Sequence, residues 1–540
     1  MKMDKTEIIH NIGEVIREDV HAVSKREMLL RAREASQSEH AQTLWQALKS
    51  HRKAVIWSML VSTVIIMESY DTSLVGALFA QPAFSKKYGR YFNHKKGYQV
   101  SGPWQIGLGN ATTCGTIIGA FSNGYFTDRF GYRKVLLVNL VLICGFIFLP
   151  FFAKSIQMLL VAEILCGIPW GVFATLAPAY AAEVCPLILR GYLTVYINMC
   201  WGFGHLIASG VLSRYSNSKS QWAYRIPFAL QWGWPIPLFI ILWFAPESPW
   251  WLVRRDKVAE AERSLSRLSY KRTPEEIKSN VALMIHTEMI EKEIESGSTY
   301  LHCFKGIDLR RTEIVCITFA CQAFSGSALG GNPAYFFKQA GLGTSFSFKL
   351  SIGGHGMACV GTILSWFIMS YRGRREIYVT GLLSLASIML TVGFVEVGTE
   401  NKAGKFGMGG LIVGWLFTYY LSIGPICYAI ISETSSAKLR TKSVCLARIA
   451  YYVVSIGCAT AEPYMVNPTE FNLKGKTAFV WATTGFLGAI WAFFRLPETR
   501  DRTYEELDIM FARKLSARKF AKYEVDAYEY EVEKLAKMGV

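Results

Sequence analysis

Two carboxylates three residues apart, Glu68 and Asp71, stand in a run that is otherwise apolar, AVIWSMLVSTVIIMESYDTSLVGALFA. Residues three apart lie on one face of a helix. An ionised carboxylate inside a bilayer is costly and persists only where it faces water or a partner. Withdrawn from water, such a group can take a proton from one side and release it to the other. Proton transfer across a membrane is therefore the chemistry this pair offers. The alternative is that Glu68 lies near a helix end and merely snorkels. A third acid, Glu163, lies in a fourth apolar run, and Arg448 in an eleventh. Glu163 either pairs with Arg448 or joins the proton path. His205, in a fifth run, reads as a hydrogen-bonded structural histidine, with a proton relay as the alternative.

The elements that must position these groups are membrane-crossing helices. The 540-residue chain is 51% hydrophobic and 18% charged, against about 25% charged in soluble domains. A spanning helix needs about 20 mostly apolar residues. Twelve runs qualify: 54–79, 103–125, 134–153, 157–181, 191–213, 226–245, 312–337, 347–371, 377–396, 408–431, 443–464 and 476–495. The polar stretch 247–310 separates the sixth from the seventh. Its VAEAERSLSRL has helical periodicity and is expected to be amphipathic at the cytoplasmic surface. The expected fold is an all-α membrane protein of twelve transmembrane helices in two six-helix halves, 54–246 and 311–496. Short cytoplasmic helices in 247–310 join the halves, and tails 1–53 and 497–540 flank them.

Lys and Arg number 58 against 41 Asp and Glu, a net charge of +17. The excess sits in short clusters beside apolar runs, the pattern of cytoplasmic loops rather than of a nucleic-acid-binding surface. Lys49, Arg52 and Lys53 precede the first run. Arg129, Arg133 and Lys134, then Arg190, then Arg254, Arg255 and Lys257, fill alternate connections of the first half. Arg372, Arg374 and Arg375, then Lys438, Arg440 and Lys442, do so in the second. Both termini are expected to be cytoplasmic. The loop 81–102, with Lys86, Lys87, Arg90, Lys95 and Lys96, dissents and is outweighed. The 12 cysteines form no CxxC pair and mostly lie within apolar runs, so they read as small buried hydrophobes rather than disulfides or metal ligands. The polar residues 1–50 contain no cleavable signal peptide. No phosphate-binding glycine loop, HExxH or nucleophile elbow occurs, so neither covalent chemistry nor a cofactor is expected.

The chain repeats itself. Glu183 precedes Arg190 by seven residues, and Glu433 precedes Arg440 by seven, an offset of 250. Pro246-Glu247-Ser248 returns as Pro497-Glu498-Thr499 at 251, and Gly131-Tyr132-Arg133 as Gly373-Arg374-Arg375 at 242. Parallel repeats of this kind place a central site between the halves. Acids and arginines at helix ends pair with opposite charges and helix dipoles. Asp128, Arg129, Arg133, Glu183 and Arg190 form one such set, and Arg374, Arg375, Glu433 and Arg440 the other. A duplicated set can act as a gate with two arrangements, formed with the cavity open outward and broken when it opens inward, whereas lone charges would only set topology.

GYFTDRFGYRK at 124–134, PAYAAEVCPLILRG at 178–191, APESPWWL at 245–252 and LPETRDRTYEEL at 496–507 resemble the signatures of the sugar porter family of the major facilitator superfamily. ESYDTSLVGALFAQPAFSKKYG, PFALQWGWPIPL and ISETSSAKLRTKSVCLAR narrow the resemblance to fungal maltose permeases, which are α-glucoside–proton symporters of the plasma membrane. One departure is Ser370, where the second loop signature would have Asp. The resemblance implies that Asp71 is the proton-coupling Asp of a GYD motif in which Ser69 replaces Gly, and that Glu68 matches an extra acid of the maltose permeases. It further implies sugar-binding roles for Asn198, for Gln322 (whose usual neighbour is replaced by Ala323), for Tyr428, and for Tyr451 with Tyr452. Asn332 falls where a gating Tyr is common. Small residues at Ser327, Ala328, Gly330 and Gly331 suit either a cavity wide enough for a disaccharide or close helix packing.

The expected function is proton-coupled uptake of α-glucosides by alternating access at the plasma membrane, by a monomer whose partners are sugar, protons and lipid. A facilitative or proton-coupled hexose carrier is the first alternative, and a uniporter would have no use for Glu68 and Asp71. A non-transporting sugar sensor is the second, and tails of about 50 and 40 residues are short for it.

Overall fold

The computed structural model describes residues 44–523 apart from 94–96, 186, 217, 271–272, 296–299, 332, 399–400, 436–438, 501 and 503. Twelve long helices dominate. In the first half they are α1 Arg52–Leu78, α2 Gly102–Phe130, α3 Tyr132–Phe151, α4 Ile156–Val184, α5 Leu187–Tyr215 and α6 Trp222–Trp243. In the second they are α7 Gly306–Gly331, α8 Thr344–Tyr371, α9 Arg374–Gly398, α10 Ala403–Ile431, α11 Arg440–Val466 and α12 Lys474–Arg495. Eleven are long and apolar enough to cross a membrane, and α2 falls short on apolarity.

The composition of α2 follows from its partner. Gly115 and Gly119 on α2 face Gly167 and Gly171 on α4, four residues apart on each helix. A Cβ on Gly119 would stand 1.9 Å from the Ile168 carbonyl oxygen, and one on Gly171 2.0 Å from that of Thr116. Small residues let the backbones touch and gain dispersion contact, the packing solution expected where lipid supplies no hydrophobic drive. α5 approaches α1 in the same way. Gly204 leaves room for Ser69, whose hydroxyl donates to the Trp201 carbonyl at 3.0 Å.

Each half has its own apolar core, one built around Trp170, Phe173 and Tyr180, the other around Phe337, Tyr378 and Trp415. Two departures from regularity in the second half lie close to the site. α7 makes a π turn over Ala323–Ser327, where Gly326 adopts φ 98°, a region open to glycine. α10 breaks at Ser422.

Linker helices Pro249–Arg254, Val258–Leu268 and Pro274–Glu295 share a small core of Leu252, Val253, Ala261, Leu265 and Val281. The amphipathic Val258–Leu268 thus buries its apolar face on protein. The loop 81–102 forms a short helix, Pro82–Tyr88, and a two-stranded antiparallel ribbon pairing Arg90 with Gln99.

The halves meet where α5 packs on α8 and α2 on α11. Several of their hydrogen bonds lie at the end opposite the linker. Lys338 Nζ donates to the Ala80 carbonyl at 2.8 Å, Asn467 Nδ2 to that of Val100 at 3.0 Å, Gln105 Nε2 to Tyr335 Oη at 3.2 Å, and Asn110 Nδ2 to Thr460 Oγ1 at 3.0 Å.

Candidate functional site

The three intramembrane acids of the first half come together. Asp71 is 1% exposed, and both its oxygens accept. Trp170 Nε1 on α4 donates to Oδ2 at 2.8 Å, and Gln231 Nε2, at the bend between the two pieces of α6, donates to Oδ1 at 2.5 Å. Glu163 accepts from Thr112 Oγ1 at 3.1 Å and stands within electrostatic reach of Asp71. The α2–α4 glycine contact is what brings Thr112 to Glu163. Glu68 is 3% exposed, so it does not snorkel, and its Oε2 has no hydrogen-bond partner. The charges acting on it are those of Arg448 and Asp71.

One of the two sequence expectations for Glu163 is corrected. Among the described residues it forms no ion pair with Arg448, because its face of α4 is turned to α2 and α1. Arg448 instead lies over the rings of Phe319 and Tyr428, 5.1 and 5.4 Å from their centroids.

Tyr428, Tyr451 and Tyr452 gather around Arg448, with Gln322 and Asn198 nearby on α7 and α5. Tyr428 packs edge-on against Phe319 at 5.4 Å, and Tyr451 lies 5.8 Å from the same ring and 5.7 Å from Tyr452. Gln322 is the last residue before the π turn. Its amide donates to Cys427 Sγ, and its Oε1 accepts from Tyr419 Oη at 3.3 Å. Asn198 reaches across from α5 to Gly424 of α10, and its Nδ2 is buried without a partner. Asn332 lies outside the described residues. Phe319, Tyr419 and Cys427 were not singled out by sequence. The Tyr419-Tyr420 doublet was the available signal. His205 takes a hydrogen-bonded place: Nδ1 is 3.3 Å from Tyr420 Oη, and its ring stacks on His355 across the two halves at 5.2 Å.

At the linker end each half carries its own cluster. In the first, Glu183 accepts from Tyr132 Oη at 2.9 Å, from Ser248 Oγ and from Arg254, with which it forms an ion pair. Among the described residues the cation that meets Glu183 is thus Arg254 of the linker. Arg129 donates to Tyr125 Oη at 2.9 Å and Arg133 lies over Trp243. Asp128 contributes its carbonyl oxygen, which accepts from Trp251 and Arg255. In the second half Glu433 accepts from Thr499 Oγ1 at 2.6 Å and pairs with Arg374 at 3.3 Å, while Arg375 donates to the Phe493 carbonyl at 2.7 Å. The side chains of Arg190 and Arg440 lie outside the described residues.

The repeated Pro-Glu-Ser and Pro-Glu-Thr motifs acquire a role that sequence reasoning missed. Glu247 accepts from the backbone N–H groups of Tyr132 and Arg133 at the start of α3, and Glu498 from those of Arg374 and Arg375 at the start of α9. Both carboxylates satisfy orphan helix donors and complement the dipole. Gly131 and Gly373 make room, since a Cβ there would stand 2.7 and 2.2 Å from the respective carboxylate oxygens. Burial raises the Glu247 carboxyl above its ordinary value, against the pull of these N–H groups and Arg133. Burial likewise raises that of Glu433, against Arg374 and Thr499. The described residues contain no group of three or more His, Cys, Asp or Glu side chains placed to hold a metal ion.

Comparison with known proteins adds context. The family profile "Sugar (and other) transporter" matches residues 56–511. The chain is 42% identical over 504 residues to a general alpha-glucoside permease of Saccharomyces cerevisiae, covering 92% of this chain and 81% of that one. It is 39% identical over 503 residues to the maltose permease MAL31 of the same organism, covering 92% and 82%. Among solved structures it is similar to the xylose transporter XylE from E. coli in a partially occluded inward-open conformation, with TM-score 0.68, 19% identity, and 84% and 100% of the two chains covered. It is also similar to XylE, described as a major facilitator superfamily proton:xylose symporter, bound to 6-bromo-6-deoxy-D-glucose, with TM-score 0.69, 20% identity, and 85% and 100% covered. These two likenesses establish the fold.

Proposed function

The chain belongs to the sugar transporter family, and from that premise we propose that it carries α-glucosides such as maltose into the cell together with protons. It is a carrier, not an enzyme. Twelve crossings in two halves, both termini in the cytoplasm and residence in the plasma membrane as a monomer complete the proposal. The yeast relatives named for alpha-glucosides and maltose support the substrate class.

One observation carries the coupling. Glu68 has a bare buried oxygen, and the charge opposite it, Arg448, lies over the aromatic rings beside Gln322. A deprotonated Glu68 attracts the guanidinium. A protonated one releases it to bond sugar hydroxyls, together with Asn198, Gln322, Asn332, Tyr428 and Tyr451. One charge is thereby shared between the proton and the sugar. Asp71 and Glu163 extend the proton path away from this centre. Asp128, Arg129, Arg133, Glu183, Arg190, Arg374, Arg375, Glu433 and Arg440 form the gates, joined by Arg254, Glu247 and Glu498. The clusters at the linker end are formed while hydrogen bonds hold the opposite end together. This supports gates that stiffen each half through the cycle and not gates that break on inward opening.

The test is expression in cells lacking sugar carriers, with external pH and uptake recorded together for maltose, trehalose, sucrose, isomaltose and glucose. Accumulation of α-glucosides with alkalinisation of the medium is expected. Glucose uptake without alkalinisation would establish a hexose carrier instead, and sugar binding without uptake a sensor.

A further inference from the structure

A fourth intramembrane acid, Glu462, takes no part in this scheme. It lies on α11, beyond Tyr451 and Tyr452 toward the end opposite the linker. Trp481 Nε1 of α12 donates to its Oε2 at 2.8 Å, which fixes the carboxylate. Glu462 faces a cleft of about 920 Å³ of empty space, open mouth included, that no step above uses. Both halves wall this cleft. α1 supplies Thr72, the position just after α1 supplies Phe79, α2 supplies Gln105 and Thr112, and the second half supplies Tyr335 as well as Glu462.

We propose that this cleft is an outer sugar subsite, distinct from the central one, in which the free oxygen of Glu462 receives sugar hydroxyls arriving from the face opposite the linker. The inference rests on the transport reading above. An acid inside a membrane, positioned by a donor and with no ion pair to a cation among the described residues, marks a functional position. Carboxylate acceptors make the stronger, charge-assisted hydrogen bonds, and a sugar ring supplies adjacent hydroxyls to donate them. Phe79 offers an apolar wall to the ring face. Across the cleft, Thr112 touches the sugar space and at the same time donates to Glu163, so an occupied outer site abuts the proton path. The acid stands outward of the central aromatic residues. Glu462 is eleven residues beyond Tyr451, about 16 Å along the helix at 1.5 Å per residue. Gln105 bonds Tyr335 across the cleft at 3.2 Å, one of the bonds that close this end, so a sugar arriving from the face opposite the linker must part it.

The experiment uses the full-length protein in vesicles of known orientation, with labelled maltose offered to each face in turn. Glu462→Ala is expected to raise the half-saturating maltose concentration about tenfold from the face opposite the linker, the size of one lost hydrogen bond to a charged group. From the linker face it should stay unchanged. Glu462→Gln, which keeps an acceptor for Trp481, should give a smaller rise on the same face only. An equal change on both faces would mean a general structural defect and overturns the subsite, as does no change on either. Wild-type protein that carries no maltose from either face overturns the transport reading and the subsite with it. Wild-type transport with a symmetric mutant effect overturns the subsite alone.

Discussion

Asp71→Asn should separate proton carriage from folding. In the protein both carboxylate oxygens accept, one from Trp170 and one from Gln231. An amide offers one acceptor and one donor. Its oxygen can keep the indole N–H, which leaves its NH2 facing the NH2 of Gln231. Gln231 can turn over, because its own Oε1 is buried without a partner, and present that oxygen instead. The number of hydrogen bonds is preserved, so the change costs less than about 1 kcal/mol of stability. Asp71→Leu has no such remedy. It strands two buried donors at about 1–3 kcal/mol each, roughly 2–6 kcal/mol in all. The assay pairs thermal stability of the detergent-solubilised protein with maltose-driven alkalinisation and with maltose exchange at equal concentrations. Asp71→Asn should melt with the wild type, exchange maltose and move no protons, while Asp71→Leu should melt well below both. Equal destabilisation by the two changes would refute the hydrogen-bond argument. Unchanged alkalinisation with normal accumulation would remove Asp71 from the proton path.

Other perturbations test other parts. Gln322→Ala should raise the half-saturating maltose concentration about tenfold with surface expression unchanged, read by uptake and by labelling at the cell surface. Gly171→Val places a side chain 2.0 Å from the Thr116 carbonyl oxygen and should abolish folded protein on gel filtration, whereas Gly210→Ala, with open space around it, should not. Burial raises the Glu433 carboxyl from 4.5, so the packed arrangement binds a proton more readily than one in which Glu433 meets water. Its advantage is complete below 4.5 and is lost as pH rises through the raised value. Thermal stability of the wild type relative to Glu433→Gln should therefore rise as pH falls toward 4.5 and level off below it.

Much of the fold was legible because hydrocarbon demands length and apolarity, and both are visible in a sequence. α2 was the weakest signal for a physical reason: Gly115, Thr116 and Gly119 serve contact with α4 rather than with lipid. Glu462, near the end of the eleventh run, was not singled out, whereas Glu68, Asp71 and Glu163 were equally visible as carboxylates among apolar residues. Their partners were not. Trp170 and Gln231 are unremarkable within apolar runs, and they meet Asp71 from 99 and 160 positions away. Glu247 and Glu498 showed themselves only as a repeat, because the groups they bind are backbone N–H donors that every residue but proline carries. The partner of Glu183 was hidden for the same reason as those of Asp71, since Arg254 meets it from 71 positions away in the linker.

The two halves reach the same end with different groups, and that difference can be tested. Arg374 follows Gly373 and pairs with Glu433. The equivalent position after Gly131 is Tyr132, whose hydroxyl meets Glu183 but carries no charge. The missing cation comes from the linker as Arg254. The first cluster therefore depends on the linker, and the second is complete within its own half apart from Thr499. Arg254→Ala leaves Glu183 partly buried with two neutral donors and should slow turnover about tenfold, the cost of a lost charge-assisted bond, while maltose binding holds. Tyr132→Arg in the same protein would set a guanidinium where Arg374 stands relative to Glu433. It should restore most of the turnover, measured as transported against bound label. Failure of that rescue, with the double variant folded, would show that Arg254 serves to dock the linker and not to neutralise Glu183, and the equivalence of the two clusters would then be one of ancestry without shared mechanics.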